Sequence, residues 1–199
     1  MSDDQTLSVY QARADGYADL GITPTQATAL EVFTAALPPK AHVLDLGCGP
    51  GLHARAMMDQ GHSVDAIDAT QAFVDAALAN GVTARLATFD DITAEDAYDG
   101  IWASFSLLHA PRADVPRYLK ALAVALRPGG AFFLGMKIGE GEHRDGIGRH
   151  YCYFTTAELT GMLADLGLTV TETFEGAEAG FAGTVDPFVL IHAKAPSDG

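Results

Sequence analysis

The sequence predicts a doubly wound α/β fold: a mainly parallel seven-stranded sheet with an antiparallel last strand and helices on both faces. Three observations predict it. Short apolar runs alternate with helical periodicities from about residue 40 onward, the pattern of a parallel sheet covered by its crossover helices. The first run, "AHVLDL" (41–46), is almost continuously apolar, as expected of a strand buried on both sides. The last two strand-like runs follow one another with no room for a helix, so they pair antiparallel.

Two helices are expected ahead of the sheet. "TLSVYQARADGYADL" (6–20) puts Val9, Tyr10, Arg13 and Tyr17 near one face, and "TPTQATALEVFTAAL" (23–37) opens with Thr23 as cap and Pro24 in its first turn. After the first strand, "LHARAMMDQG" reads as a helix stopped by Gly61. "SVDAID" (63–68) is the second strand, and "TQAFVDAALANG" a helix capped by Thr70 and ended by Gly81. "TARLATF" (83–89) and "YDGIWASFS" (98–106) are the third and fourth strands. "DVPRYLKALAVALR" is a helix leading through the turn "RPGG" into a fifth strand, "AFFLGMK" (131–137). "TTAELTGMLADLG" carries a capping box, Thr155 with Glu158, and a glycine stop at Gly167. "LTVTETF" and "PFVLIHAKA" close the sheet.

The 199 residues suit a single domain spanning 1–199, with no internal repeat or linker. Acids outnumber bases 26 to 12, for a formal net charge of −14, so a nucleic-acid backbone would meet a repulsive field. No nucleic-acid partner is expected; a small-molecule substrate is. No apolar run is long enough to cross a bilayer, and "MSDDQTLSVY" lacks the basic start of a signal peptide, so a cytoplasmic protein without membrane attachment is expected. The two cysteines, Cys48 and Cys152, have no metal-ligand spacing and are expected as reduced thiols, with no metal bound. The chain is expected to act as a monomer or homodimer.

Ligands of open parallel sheets bind beyond the carboxyl ends of the strands, where the strand order reverses. The turn after the first strand, "GCGPG", lies there, and Gly47, Gly49 and Gly51 leave the backbone bare for close approach. A dinucleotide fingerprint is G-x-G-x-x-G; here the third glycine follows after one residue and position 52 is leucine. That spacing argues against an NAD(P)-dependent oxidoreductase, the competing enzyme reading.

"VLDLGCGPG" resembles the first motif of class I S-adenosylmethionine-dependent methyltransferases, written acid-x-G-x-G-x-G, with Asp45, Gly47, Gly49 and Gly51 in the matching positions. That family has the Rossmann-like version of the predicted fold. The resemblance implies S-adenosylmethionine as cofactor, S-adenosylhomocysteine as product, and methyl transfer to an O, N or S atom of a small-molecule acceptor. It makes Asp68, at the end of "VDAID", the acceptor for the two ribose hydroxyls, with Ala69 beside it, and one of Asp90 and Asp91 in "FDD" the partner of the adenine amino group. Ser104 and Phe105 would flank the cofactor, and Tyr10, Arg13 and Tyr17 from the N-terminal helices (1–38) would cover it. The same motifs would serve a cofactor-binding module without catalysis.

Methyl transfer needs an acceptor atom in line with the breaking carbon–sulfur bond, and a general base only if that atom must lose a proton. His109 in "SLLHAPR" is the candidate base; the alternative is a histidine that shapes the pocket. The segment 138–154, "IGEGEHRDGIGRHYCYF", is longer than a minimal connection and reads as a mobile lid over the substrate. Within it Arg149 is the candidate two-pronged carboxylate binder, and Tyr151 and Tyr153 are candidate stacking or hydroxyl groups.

Overall fold

The computed structural model describes residues 3–18 and 21–197. Among them the elements run α1 (Asp4–Ala18), α2 (Pro24–Ala35), β1 (His42–Leu46), α3 (Leu52–Asp59), β2 (Ser63–Asp68), α4 (Gln71–Ala79), β3 (Ala84–Leu86), β4 (Tyr98–Ser104), α5 (Val115–Ala125), β5 (Leu126–Lys137), β6 (Glu142–Arg144), β7 (His150–Cys152), α6 (Thr156–Asp165), β8 (Thr169–Ala179) and β9 (Val185–Lys194). Short 3₁₀ turns occupy Phe89–Asp91, Leu107–His109 and Arg112–Asp114.

Seven strands form one sheet in the order β3-β2-β1-β4-β5-β9-β8. Every pairing from β3 to β5 is parallel, and β9 runs antiparallel to both neighbours. The chain steps outward one way from β1 to β3 and the other way from β4, so the order reverses between β1 and β4.

Strand alternation splits the core into two layers. Leu44, Leu46, Ile101, Ala103, Phe132 and Leu134 pack with α5 and α6, while Val43, Trp102 and Phe133 face Phe33 of α2 and Met57 of α3. Trp102 and Phe133 stack with centroids 3.7 Å apart. The capping boxes at Thr23 with Gln26 and at Thr155 with Glu158 both form.

The structure departs from sequence expectation in several places, and β5 takes in the expected turn "RPGG" by starting at Leu126. The third strand shrinks to Ala84–Leu86 because Phe89–Asp91 winds into a 3₁₀ turn capped by Thr88. Thr70 precedes α4 without a side-chain cap bond; its backbone N–H instead donates to Asp68 Oδ1 at 2.8 Å. The first helix starts earlier than expected, at Asp4, and is kinked at Arg13; residues 19 and 20 of the expected helix lie outside the described residues. The segment 138–154 is an ordered hairpin, β6 with β7, and Tyr151, Cys152 and Phe154 belong to the main core. Buried side chains at four successive positions, 151–154, hold it down, which a lid would not have.

Among the described residues no helix is long and apolar enough to cross a membrane.

Candidate active site

The carboxyl ends of β1, β2 and β4 open into a crevice with about 690 Å³ of empty space including its mouth. Its floor is the glycine turn. The N–H groups of Gly47 and Cys48 both donate to the Ile67 carbonyl at 2.9 Å, which ties the turn to β2. Gly47 has φ +72°, and a Cβ there would stand 2.5 Å from that of Ser106, so the turn and the segment after β4 meet as closely as bare backbone allows.

Asp68 ends β2 at the crevice wall. It is 9% exposed, and its two oxygens each accept one backbone N–H, from Gly49 at 2.9 Å and Thr70 at 2.8 Å. A carboxylate has about four acceptor positions, so one on each oxygen is left over. Burial raises its pKa above the ordinary carboxylate value, and the N–H groups of Thr70 and Gly49 oppose that shift. Ser104, Phe105 and Ala69 line the same crevice, with Tyr10 and Tyr17 of α1 above it. Phe105 itself has φ +53° and donates its N–H to the Gly135 carbonyl at 2.9 Å, turning the chain away from β4.

Five residues expected here stand elsewhere. Asp45 is 2% exposed and lies beneath the turn on the side of α3, outside the crevice wall; burial, with Asp68's charge adding, pushes its carboxyl up to about 7, and its Oδ2 has no hydrogen-bond partner. Gly51 starts α3 at φ +79°, where a Cβ would press on Ala77 at 3.0 Å; it serves helix packing against α4. Asp90 pairs with Arg117 at 2.8 Å, and Asp91 caps its own turn through Thr88. Neither acid lines the crevice, whose wall there is Ala87 and Phe89. Arg13 is exposed at the kink in α1.

A second cavity adjoins the first and shares Tyr10, Tyr17, Gly47, Gly49, Ser104, Phe105 and His109 with it; its empty space is about 1130 Å³ with its mouth. His109 sits in the shared wall with both ring nitrogens engaged. Its Nδ1 lies 2.7 Å from the His150 carbonyl, which can only accept, so Nδ1 carries the proton. Nε2 is then an acceptor, and the Tyr10 hydroxyl donates to it at 2.7 Å. Burial takes the His109 pKa down to about 3, which keeps the ring neutral.

Arg149 is 2% exposed and is also committed: it donates to Asp145 from Nε at 2.9 Å and to the Tyr10 hydroxyl from Nη1 at 2.9 Å. The two-pronged grip expected for a substrate carboxylate is thus taken up by Asp145. Tyr151 lines the second cavity, whereas Tyr153 lies outside it, stacked on His143 with centroids 4.5 Å apart. The hairpin and α1 are joined along one helix face: Asp3 pairs with Arg144 at 2.7 Å, Thr6 Oγ1 accepts the His150 N–H at 2.8 Å, and Tyr10 meets Arg149.

Sequence reasoning missed several wall residues. Ser106, whose Oγ is buried without a partner, lines the first crevice; a leftover hydroxyl costs about 1–3 kcal/mol until something bonds it. Lys137, Phe181 and Phe188 line the second cavity, as does His53. Phe89 sits next to the acids that drew attention, and its position in an apolar-ended strand was the available signal.

Residues 43–130 match the family described as "Methyltransferase domain". That stretch is similar to a methyltransferase domain. The match takes in the glycine turn, Asp68 and the sheet through the start of β5. Over 114 residues the chain is 38% identical to a ubiquinone biosynthesis O-methyltransferase of Xanthomonas axonopodis pv. citri; that alignment spans 53% of this chain and 47% of the relative. The chain thus matches about half the length of its curated relatives.

Two solved structures share the fold of this chain. The 1,6-didemethyltoxoflavin-N1-methyltransferase of Burkholderia thailandensis, solved with 1,6-didemethyltoxoflavin and S-adenosylhomocysteine, superposes with a TM-score of 0.78 at 24% identity, over 96% of this chain and 85% of that one. A Haloferax volcanii putative methyltransferase, in complex with the activator Trm112, superposes with a TM-score of 0.76 at 22% identity, over 100% and 99% of the two chains. At these identities the likeness is one of fold.

Proposed function

We propose that this protein transfers a methyl group from S-adenosylmethionine to an O, N or S atom of a small molecule. The observation that carries the proposal is Asp68: a buried carboxylate fixed by two backbone N–H groups, with unused acceptor positions at the wall of a crevice beside a bare glycine turn. That is the acceptor set a vicinal diol requires. Asp68 would hold the ribose hydroxyls, Gly47 and Gly49 would leave room for the chain of the cofactor, and the Ser106 hydroxyl is available to it. Ala87 and Phe89 would give the adenine an apolar bed, in place of the side chain of Asp90 or Asp91.

When bound, the cofactor supplies an electrophilic methyl on a sulfonium sulfur. The protein's share is to bring an acceptor atom into line from the second cavity and to exclude water, and well-oriented reactants gain roughly 7–11 kcal/mol from positioning alone. Tyr10 and Tyr17 roof the junction of the two spaces. His109 acts by accepting the hydrogen bond of the Tyr10 hydroxyl and so fixing the direction of that hydroxyl's lone pairs, a positioning role in place of direct proton abstraction.

The acid-rich composition, 26 against 12 bases, favours a small-molecule acceptor over a nucleic acid. Two buried free cysteines fit a reducing compartment, the cytoplasm. Calorimetry on the purified protein tests the proposal: S-adenosylhomocysteine should bind at one site per chain, and radiolabelled methyl groups should pass to members of a phenol, amine and thiol panel. Absence of cofactor binding overturns it; binding without transfer to any acceptor favours a non-catalytic module.

A further inference from the structure

The wall of the second cavity narrows what it accepts, an inference that rests on the first crevice holding the cofactor. Rings from segments far apart in sequence line it: Tyr17, Phe105, Tyr151, Phe181 and Phe188. Its two cations are already neutralised. Lys137 Nζ lies 2.5 Å from Asp186 and 4.0 Å from the centre of the Tyr151 ring, and Arg149 is paired with Asp145 at 2.8 Å. An anionic acceptor would have to compete with ion pairs that exist, whereas a flat uncharged ring packs on these walls without disturbing either.

One imidazole in this wall is left over. His53 stands in the first turn of α3 and lines this cavity, its ring 5.3 Å from that of Trp102; its Nε2, closed to solvent, has no hydrogen-bond partner among the described residues. His109, in the same wall, has both nitrogens occupied. We propose that the second cavity takes a planar, uncharged aromatic acceptor and that His53 supplies the hydrogen bond orienting its polar substituent. Burial takes the His53 pKa down to about 4, so the ring is neutral at pH 7 and offers one donor and one acceptor. A ring hydroxyl or ring nitrogen is the complementary group. His53 is on the helix that follows the glycine turn, so a substituent held by it sits at a fixed distance from the cofactor.

The test uses the full chain saturated with S-adenosylhomocysteine, titrated with catechol, cis-cyclohexane-1,2-diol and terephthalate under ligand-observed NMR. Catechol should bind at least tenfold more tightly than the saturated diol, and terephthalate no better than the diol. His53→Leu should weaken catechol at least fivefold while S-adenosylhomocysteine affinity stays within twofold, and His53→Gln, which restores a hydrogen-bonding group, should recover most of the loss. Equal binding of the two diols, preference for terephthalate, or an unaffected His53→Leu variant overturns the inference. The titrations are repeated on cofactor-free protein, so failure of S-adenosylhomocysteine to bind counts against the cofactor reading while catechol selectivity is still measured.

Discussion

Replacing Asp68 by asparagine separates a loop tie from a cofactor ligand. The carboxylate spends one acceptor position per oxygen on the N–H groups of Gly49 and Thr70, leaving one per oxygen for a diol. Asparagine keeps the volume but turns one of those oxygens into an NH₂ group. Whichever way the amide is flipped, that group confronts a backbone N–H and one ribose hydroxyl loses its acceptor, while the other loses the charge. A hydrogen bond to a charged group contributes about 1.5–3 kcal/mol and a neutral one about 0.5–1.5 kcal/mol. The loss is therefore roughly 2–4 kcal/mol, or about 30- to 1,000-fold in Kd. Isothermal titration of S-adenosylhomocysteine into wild-type and Asp68→Asn protein measures it, with circular dichroism confirming the fold. A folded variant whose Kd changes less than threefold would refute the reasoning and leave Asp68 as a tie for the glycine turn alone.

Asp45→Asn should raise stability progressively as pH increases. The folded state keeps the Asp45 proton to about 7 while the unfolded chain releases it near 3.8, so Asp45's contribution is full below the lower value and is lost through the upper one, a change on the order of 4 kcal/mol. Urea denaturation at pH 4 to 8 should show a gap between variant and wild type that widens with pH; a constant gap contradicts the assignment. Gly47→Ala combines φ +72° with a 2.5 Å approach to Ser106 Cβ and should cost about 2–5 kcal/mol, part of which Ser106→Gly returns in a double-mutant cycle. Gly51→Ala should lower Tm through its contact with Ala77 yet leave S-adenosylhomocysteine affinity within threefold; a large affinity loss would put Gly51 back among the cofactor contacts. Arg149→Met strands Asp145, whose side chain is 10% exposed, and should cost about 3–5 kcal/mol. Arg149→Met with Asp145→Leu should recover much of that in thermal melts.

The fold was legible because the signals were local and mutually consistent. Continuous apolar strands, glycine stops at Gly61, Gly81 and Gly167, and two capping boxes all specify their elements within a few residues. The turn of the crevice and Asp68 were legible for the same reason, since a motif spaced along one strand–turn–helix unit keeps its geometry. Roles that depend on distant partners were not. Arg149 looks like a free cation in sequence, but the hairpin turn closes Asp145 onto it and folding brings Tyr10 against it. Asp90 looks available until Arg117 is laid beside it. The segment 138–154 reads as mobile from its glycines, yet its aromatic residues are core because α1 and the turn at Leu107–His109 pack against them. Phe181, at the tip between β8 and β9, carries no local signal for its place near Tyr17, 5.5 Å between ring centres.

The two spaces draw on different lengths of the chain. Every residue lining the first crevice falls between Asp3 and His109, whereas the second cavity is completed by residues as late as Phe188. The domain match ends at residue 130, short of Lys137, Tyr151, Phe181 and Phe188. Much of the second cavity is built from the same early residues, Tyr10 to His109, and only its far wall, from Lys137 to Phe188, lies on a stretch of its own. Changes confined to that stretch can reshape the far wall of the second cavity while the first crevice is inherited intact.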